Sequence, residues 1–269
     1  MPSPKVMWLV RKDIQECLGN RMVLVPMFLL PLLLCVAMPA LLILLGLGSG
    51  LSRMNGADQI ERILPLYPIP EAFTEPVERV LYVFLNYTIM PLFLIIPLMV
   101  SVIIAAHSVA GEKEKQSLET LLYTPLSNKE FVLGKVLSAF FPAVALSLAS
   151  FILFFITANS LYFAMRGELV VRAAAWIPVL LLIDPVASLL GLGAAFLVSL
   201  KAKTYMEAQQ VGALVVLPCV LLIGGQIGGI IVFSPLAVCV FGLVLVIADY
   251  ILIAKIGPAF DRERVIACL

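Results

Sequence analysis

The stretch GEKEKQSLETLLYTPLSNKEFVLGK, residues 111–135, is the most polar long segment in a chain otherwise rich in leucine, valine, isoleucine, alanine and phenylalanine. It separates two apolar runs, 80–110 and 136–158, and a helix needs about 20 residues to cross a bilayer. The whole chain is 62% hydrophobic and 13% charged, whereas soluble domains are about half apolar. The sequence therefore predicts an all-α integral membrane protein.

Apolar runs of sufficient length to span the membrane recur along the chain. They are 23–47, 80–110, 136–158, 175–200, 211–232 and 235–256, which predicts six transmembrane helices in one domain over residues 1–269. The first run contains Pro26, Pro31 and Pro39 and follows a long leader, so we interpret it as a span and not as a cleaved signal peptide. We expect the mature chain to begin at Met1.

The charges of the connecting segments predict the orientation, because lysine and arginine are retained on the cytoplasmic side. One side carries thirteen cations: Lys5, Arg11, Lys12, Arg21, Lys113, Lys115, Lys129, Lys135, Lys201, Lys203, Lys255, Arg262 and Arg264. The other side carries Arg53, Arg62, Arg79, Arg166 and Arg172, diluted by six acidic residues. Both termini and residues 111–135 are therefore predicted to be cytoplasmic, in a multi-pass protein of the cell membrane.

The leader, residues 5–21, has apolar residues at helical spacing. They are Val6, Leu9, Val10, Ile14 and Leu18. This pattern predicts an amphipathic helix in the membrane interface, with Trp8 as an anchor in the lipid headgroups. An ordinary juxtamembrane basic segment is the alternative.

Residues 111–135 contain signals for two helices and a stiff corner. Leu118, Leu121 and Leu122 follow the i, i+3, i+4 spacing of a short amphipathic helix, which Pro125 ends. Ser127 and Glu130 then form the pattern of a capping box, which starts a helix continuous with the third span. Such a segment could transmit force to the third span, although a helix that merely covers lipid headgroups is also compatible with the composition.

Polar residues inside the apolar runs are candidates for a translocation path. Asp184 lies in the fourth run and Asp249 in the sixth, and intramembrane carboxylates are costly. Asp184 precedes Pro185 and could equally mark a kink with a local polar partner. Asp249 is near enough to the cytoplasmic end either to pair with Lys255 or to extend toward the membrane interface. Gln226 lies among glycines that favour close helix packing, and a re-entrant segment over 224–235 is the alternative.

Motifs of enzymes and of nucleotide binding are not found in the sequence. His107 is the single histidine, no metal-ligand spacing or nucleophile elbow occurs, and the Gly134-Lys135 pair lacks the rest of a phosphate-binding loop. No basic block suits nucleic acid. We predict neither a catalytic residue nor a metal site.

The 111–135 stretch resembles the cytoplasmic segment of ABC-2 type permeases, the membrane subunits of ATP-binding-cassette exporters. The matching positions, in the order of the family pattern, are Glu112, Glu114, Ser117, Leu118, Glu119, Leu121, Leu122, Thr124, Pro125, Ser127, Glu130, Gly134 and Lys135. Gln116 stands where a glycine is frequent, and Ser117 where threonine is commoner. Residues 199–218, SLKAKTYMEAQQVGALVVLP, and the tail FDRER are similar to sodium-exporter-like members.

This resemblance implies a permease subunit that couples ATP hydrolysis to export. The thirteen matching positions would form a coupling helix and its supports, and Lys203, Thr204 and Glu207 would contact the ATPase from the second loop. ATP and magnesium would be bound by the separate ATPase subunit, and a second permease, identical or paralogous, would complete a dimer. A small cation, drug or peptide is favoured as substrate and a prokaryotic source is expected. The alternative is an ion-coupled secondary transporter or channel that uses Asp184.

Overall fold

The computed structural model describes residues 3–48, 64–117, 126–227 and 235–259, and within these ranges the regular structure is entirely helical. We number the long helices in chain order. They are α1 (Pro4–Gly19), α2 (Arg21–Leu47), α3 (Pro76–Glu114), α4 (Asn128–Arg166), α5 (Ala173–Ser199), α6 (Tyr205–Gln226) and α7 (Pro235–Ala259).

Within the described ranges five helices, α2 to α6, are long and apolar enough to cross a membrane. Each overlaps one of the first five predicted runs. The helix α4 extends well beyond both ends of its run, and its early start coincides with the capping box. The sixth predicted run lies within α7, which has 25 residues. The all-α membrane class is thus confirmed, while the sixth crossing stays a prediction.

Three of the long helices contain a widened, π-helical turn just before a proline. These turns are Leu33–Ala37 in α2, Phe84–Thr88 in α3 and Val179–Ile183 in α5. The prolines that follow are Pro39, Pro91 and Pro185. A proline ring clashes with the carbonyl four residues earlier, and in all three cases that carbonyl belongs to the widened turn. The kink expected at Pro185 is therefore accommodated within the helix, directly before Asp184.

The helix α3 forms the centre of the described bundle. Most of its apolar window is buried, and it packs against both α4 and α5. Gly191 of α5 permits the closest approach, since a Cβ atom there would lie 2.6 Å from the backbone oxygen of Leu98. By contrast, α2, α4, α6 and α7 carry many large exposed apolar side chains, as expected for surfaces that face lipid.

The N-terminal helix α1 packs on the protein through only part of its predicted apolar stripe. Val6, Leu9 and Val10 are buried, whereas Leu18 is 53% exposed and does not face the bundle. The location of this helix in the membrane interface stays a prediction. The buried face continues instead through Asp13 and Cys17. These positions keep the spacing of three and four residues from Val6 onwards, whereas position 18 lies one residue, about 100°, around the helix from Cys17.

Polar contacts of the described chain concentrate at two opposite ends of the bundle. One end brings together α1, the end of α3, the start of α4 and the α5–α6 connection. At the other end Arg166 pairs with Glu75 at 2.6 Å and with Glu78 at 3.3 Å. This grouping agrees with the sorting of loop charges in the sequence, and the cytoplasmic location of the first end remains a prediction.

Candidate functional site

A group of buried charges lies where α1, α3 and α4 meet. The Nζ atom of Lys135 is 3.0 Å from Oδ2 of Asp13 and 2.8 Å from Oε2 of Glu112. It also donates a hydrogen bond to the carbonyl oxygen of Ser108 at 2.6 Å. The side chains of all three charged residues are at most 2% exposed. One lysine therefore satisfies two carboxylates from two other segments of the chain.

Lys12 completes what we call the charge cluster, defined as Lys12, Asp13, Glu112 and Lys135. Its ammonium group pairs with Oε1 of Glu112 and lies 3.8 Å from Oδ1 of Asp13. The Ser138 hydroxyl donates a further hydrogen bond to Oδ2 of Asp13 at 3.2 Å. Two cations thus face two carboxylates, so the cluster is electrically balanced, as a buried ionic group must be to persist.

Burial and charge act in opposite directions on the groups of the cluster that α1 contributes. Burial raises the pKa of Asp13, and the neighbouring Lys135 opposes that rise only in part. For Lys12, burial favours the neutral amine, but the charge and hydrogen bond of Glu112 outweigh it and raise the pKa above its ordinary value. At neutral pH Lys12 therefore remains a cation.

Close packing brings α1 near enough to α4 for these contacts. Gly134, one of the positions matched to the family pattern, faces Leu9, and a Cβ atom there would lie 2.6 Å from Cδ2 of Leu9. The Ser3 hydroxyl donates to Oε1 of Glu130 at 2.8 Å, nearer the start of both helices. Glycine at position 134 thus allows α1 and α4 to pack closely, and this face of α4 is turned toward α1.

The 111–135 segment leaves α3 through a motif that ends helices. Gln116 has a φ of 57°, in the left-handed region. The amide of Ser117 donates to the carbonyl of Glu112 at 2.9 Å, and the amide of Gln116 donates to that of Lys113 at 3.0 Å. This pair of bonds is the Schellman motif, whose left-handed position usually holds glycine. The frequent glycine of the family pattern at position 116 has its physical reason in this backbone.

The same segment enters α4 through the predicted capping box, which the structure confirms. The Ser127 hydroxyl accepts from the Glu130 amide at 3.2 Å, and Oε2 of Glu130 accepts from the Ser127 amide at 3.0 Å. The predicted short helix and its proline corner lie outside the described residues. The positions concerned are Leu118, Glu119, Leu121, Leu122, Thr124 and Pro125.

The connection between α5 and α6 is hydrogen-bonded to the last turn of α3, at the same end of the bundle. Oε2 of Glu114 accepts a hydrogen bond from the Tyr205 amide at 2.9 Å. The Nζ atom of Lys113 donates to the carbonyls of Leu200 at 3.1 Å and Ala202 at 3.4 Å. The two segments predicted to contact a partner are therefore tied to each other within this chain.

The residues predicted for the second contact are exposed beside these ties. Thr204 caps α6, since its hydroxyl accepts from the Glu207 amide at 3.2 Å. Oε2 of Glu207 in turn accepts from the Lys203 amide at 2.9 Å. All three side chains remain exposed, so a partner can reach them.

The two residues predicted to line a path lie elsewhere and contact different helices. Asp184 is fully buried and accepts a hydrogen bond from Ser147 of α4, while its Oδ1 atom has no partner among the described residues. Gln226 is 2% exposed and donates to the carbonyl oxygen of Tyr87 in α3 at 3.4 Å. Asp184 thus has a local polar partner, Ser147, as one of its two interpretations predicted.

The expected ion pair between Asp249 and Lys255 is absent from the described residues. Asp249 is 6% exposed and its Oδ1 atom has no hydrogen-bond partner among the described residues, whereas Lys255 is exposed. Six residues turn a helix by about 600°, which leaves the two side chains about 120° apart around the axis and about 9 Å apart along it. The prediction of that pair was wrong for this reason.

Sequence reasoning missed half of the charge cluster. Lys12 was counted only among the cations of the cytoplasmic side, and Asp13 was not singled out at all. A usable signal was present, because Asp13 continues the helical spacing of Val6, Leu9 and Val10. A carboxylate in line with an apolar stripe indicates a partner cation in the protein.

His107 contacts side chains of α1, of the α1–α2 connection and of α6. Its Nδ1 atom lies 3.6 Å from Sγ of Cys17, and its Nε2 atom lies 3.2 Å from Nδ2 of Asn20. Its ring meets Tyr205 edge-on, with centroids 5.8 Å apart. Within the described ranges no group of histidine, cysteine and acidic side chains is suited to hold a metal.

These features define a multi-pass helical membrane protein with a polar junction at one end of its bundle. The model of a family described as ABC-2 family transporter protein matches residues 7–251. The chain therefore belongs to the ABC-2 family, as the 111–135 pattern predicted, and is a membrane component of a transport system. No curated protein and no solved structure gave a significant match.

Proposed function

We propose that this chain is the permease subunit of an ATP-driven exporter, and that residues 111–135 carry motion from a separate ATP-binding subunit to the membrane helices. ABC-2 permeases generally work with an ATP-binding subunit. The observation that carries the proposal is the anchoring of this segment at both ends, by the Schellman motif at Gln116 and by the capping box at Ser127. A displacement of residues 118–125 would reach α3 and α4 with little slack.

The exposed residues of the second loop support the same proposal. Lys203, Thr204 and Glu207 lie next to the ties that Lys113 and Glu114 make across this end. An ATP-binding subunit seated on residues 118–125 would also meet this loop. ATP and magnesium would be held by that subunit, which would hydrolyse the nucleotide.

Closure of two ATP-binding subunits would then move two permeases against each other. Such rigid-body rotation about an interface is a common form of switching. The second permease would be an identical copy or a paralogue, and the path between them would open outward for a small cation, drug or peptide. Both termini would be cytoplasmic.

The test is a co-purification of the full-length chain with an ATP-binding-cassette ATPase encoded next to it. Leu121→Asp places a charge on the predicted contact helix and should reduce the retained ATPase by more than about tenfold, as expected when a charge is buried at an interface. Leu169→Asp is the matched control, because Leu169 is 60% exposed at the other end of the bundle. Equal retention in both variants would contradict the proposal.

A secondary transporter that uses Asp184 is the second candidate. It is favoured by the one observation that a fully buried carboxylate oxygen of Asp184 has no partner in the described part of the chain. Buried unpartnered carboxylates in membranes mark ion pathways by default. In reconstituted vesicles this candidate requires substrate movement driven by a proton or sodium gradient without ATP, and its loss in Asp184→Asn.

A further inference from the structure

We propose that Lys135 is a positioning residue that locks α1 to the ends of α3 and α4, so that the interfacial helix moves as one body with the 111–135 segment. The lock depends only on contacts within this chain. The motion that we propose for α1 rests on the proposed function. The inference therefore has two parts that separate experiments can address.

The first argument is the position of the ammonium group. The ammonium group of Lys135, on α4, meets both α1 and α3, because it lies 3.0 Å from Asp13, 2.8 Å from Glu112 and 2.6 Å from the Ser108 carbonyl oxygen. Glu112 lies in the last turn before the Schellman motif, and Lys135 lies two turns after the capping box. The lock thus closes the base of the loop formed by residues 112–135.

The second argument concerns what a buried charge cluster contributes. Well-packed apolar residues would stabilise such a junction equally well or better, because burying charges is costly. Charges differ from apolar contacts in that they fix one register, since a small slip leaves a buried carboxylate without its cation. A cluster with three of its side chains at most 2% exposed therefore defines the relative position of α1 more sharply than packing would.

The third argument is that α1 is docked on α4 along its first three turns. Ser3 contacts Glu130 near the start of α1, Leu9 meets Gly134 in the middle, and Asp13 reaches Lys135 beyond it. All three contacts lie on the first three turns of α4. A rotation of α4 would hence carry α1 with it, provided that the lock holds.

The test of the lock is amide hydrogen exchange of the full-length protein in lipid nanodiscs. Lys135→Met keeps the length of the side chain but removes its charge, and should speed the exchange of α1 by about 100-fold, the cost of breaking a buried ion pair. Lys135→Arg should restore slow exchange. Lys129→Met is the matched control, because Lys129 is an exposed lysine of the same helix, and should leave α1 unchanged.

A milder variant guards against loss of folding. Asp13→Asn leaves Lys135 paired with Glu112 and should speed the exchange of α1 by about tenfold, as for a weakened charged hydrogen bond. Unchanged exchange of α1 in both Lys135→Met and Asp13→Asn would overturn the lock. Faster exchange throughout the bundle, with α1 no different from α5, would overturn it as well.

The motion is tested on the complex with the co-purified ATPase, with and without ATP and vanadate. In the wild type, peptides from α1, from 112–117 and from 128–135 should change exchange together on trapping. In Lys135→Met the peptides from 112–117 and 128–135 should still change their exchange on trapping, and those from α1 should not. A lysine that only stabilised the fold would not produce this difference between segments. A response of α1 that persists in Lys135→Met would overturn the role in motion.

Failure of the proposed function gives a different result. In that case no segment of the wild type responds to trapping, which overturns the motion of α1 together with the coupling. The faster exchange of α1 in nucleotide-free Lys135→Met would still support the lock.

Discussion

Replacing Gln116 by glycine should stabilise the protein, because the backbone of this residue has a conformation that suits glycine. Its φ is 57°, and the two hydrogen bonds of the Schellman motif hold it there. An L-residue in the left-handed region costs about 1–2 kcal/mol. Glycine avoids that cost but loses roughly 0.5–1 kcal/mol through its greater freedom in the unfolded chain.

The net gain expected for Gln116→Gly is therefore about 0.7 kcal/mol. For a chain of this size that corresponds to a rise in Tm of roughly 2 °C. Thermal unfolding of the detergent-solubilised protein can be followed by the fluorescence of Trp8 and Trp176, the two tryptophans of the chain. Trp176 is fully buried against three phenylalanine rings, so its emission reports on the core.

Two control variants separate the backbone effect from the loss of a side chain. Gln116→Ala keeps the strained φ and should leave Tm nearly unchanged. Gly167 has a φ of 75° and nothing within 4 Å of its missing Cβ atom, so Gly167→Ala should lower the stability by about 1 kcal/mol through conformation alone. The reasoning fails if Gln116→Gly lowers Tm, or if Gln116→Ala raises it as much.

Two other perturbations test the packing and the charges. Gly191→Ala should destabilise the fold by about 2 kcal/mol, because the added carbon would press on the backbone oxygen of Leu98. Gly224→Ala meets nothing within 4 Å and should be neutral or stabilising, so equal Tm shifts would contradict the packing argument. Lys12→Met should lower Tm at neutral pH. The raised pKa of Lys12 means that its stabilisation is present below about pH 10.5 and is lost as pH rises through the folded-state pKa. A wild-type-to-variant Tm difference that stayed constant across that range would refute the assignment.

Local signals in the sequence predicted local structure well. The capping box at Ser127 and Glu130 depends on residues three apart, and it forms with both of its hydrogen bonds. The apolar runs similarly located five helices able to cross a membrane. In both cases the physical cause, a side chain near its own backbone or a run of apolar residues, is contained within a short window.

Contacts between distant segments could not be predicted in the same way. Asp13 and Lys135 are 122 residues apart, and their pairing depends on how α1 lies across α4. The pattern around Lys135 predicted that it belongs to the coupling helix and its supports, and the side chain is 1% exposed. Charge alone does not reveal which side of a junction a lysine faces, so its contacts within this chain could not be predicted.

The widened turn His107–Gly111 differs from the other three because no proline follows it. A π-helical turn holds one residue more than an α-helical turn, so it advances the phase of the following residues by about 100°. Glu112 comes directly after it. The direction of this carboxylate toward Lys135 thus depends on the number of residues in the preceding turn as well as on the residue itself. A regular α-helical turn built from the same five residues would leave every charged side chain of the junction in the sequence and would still turn Glu112 away from its cation.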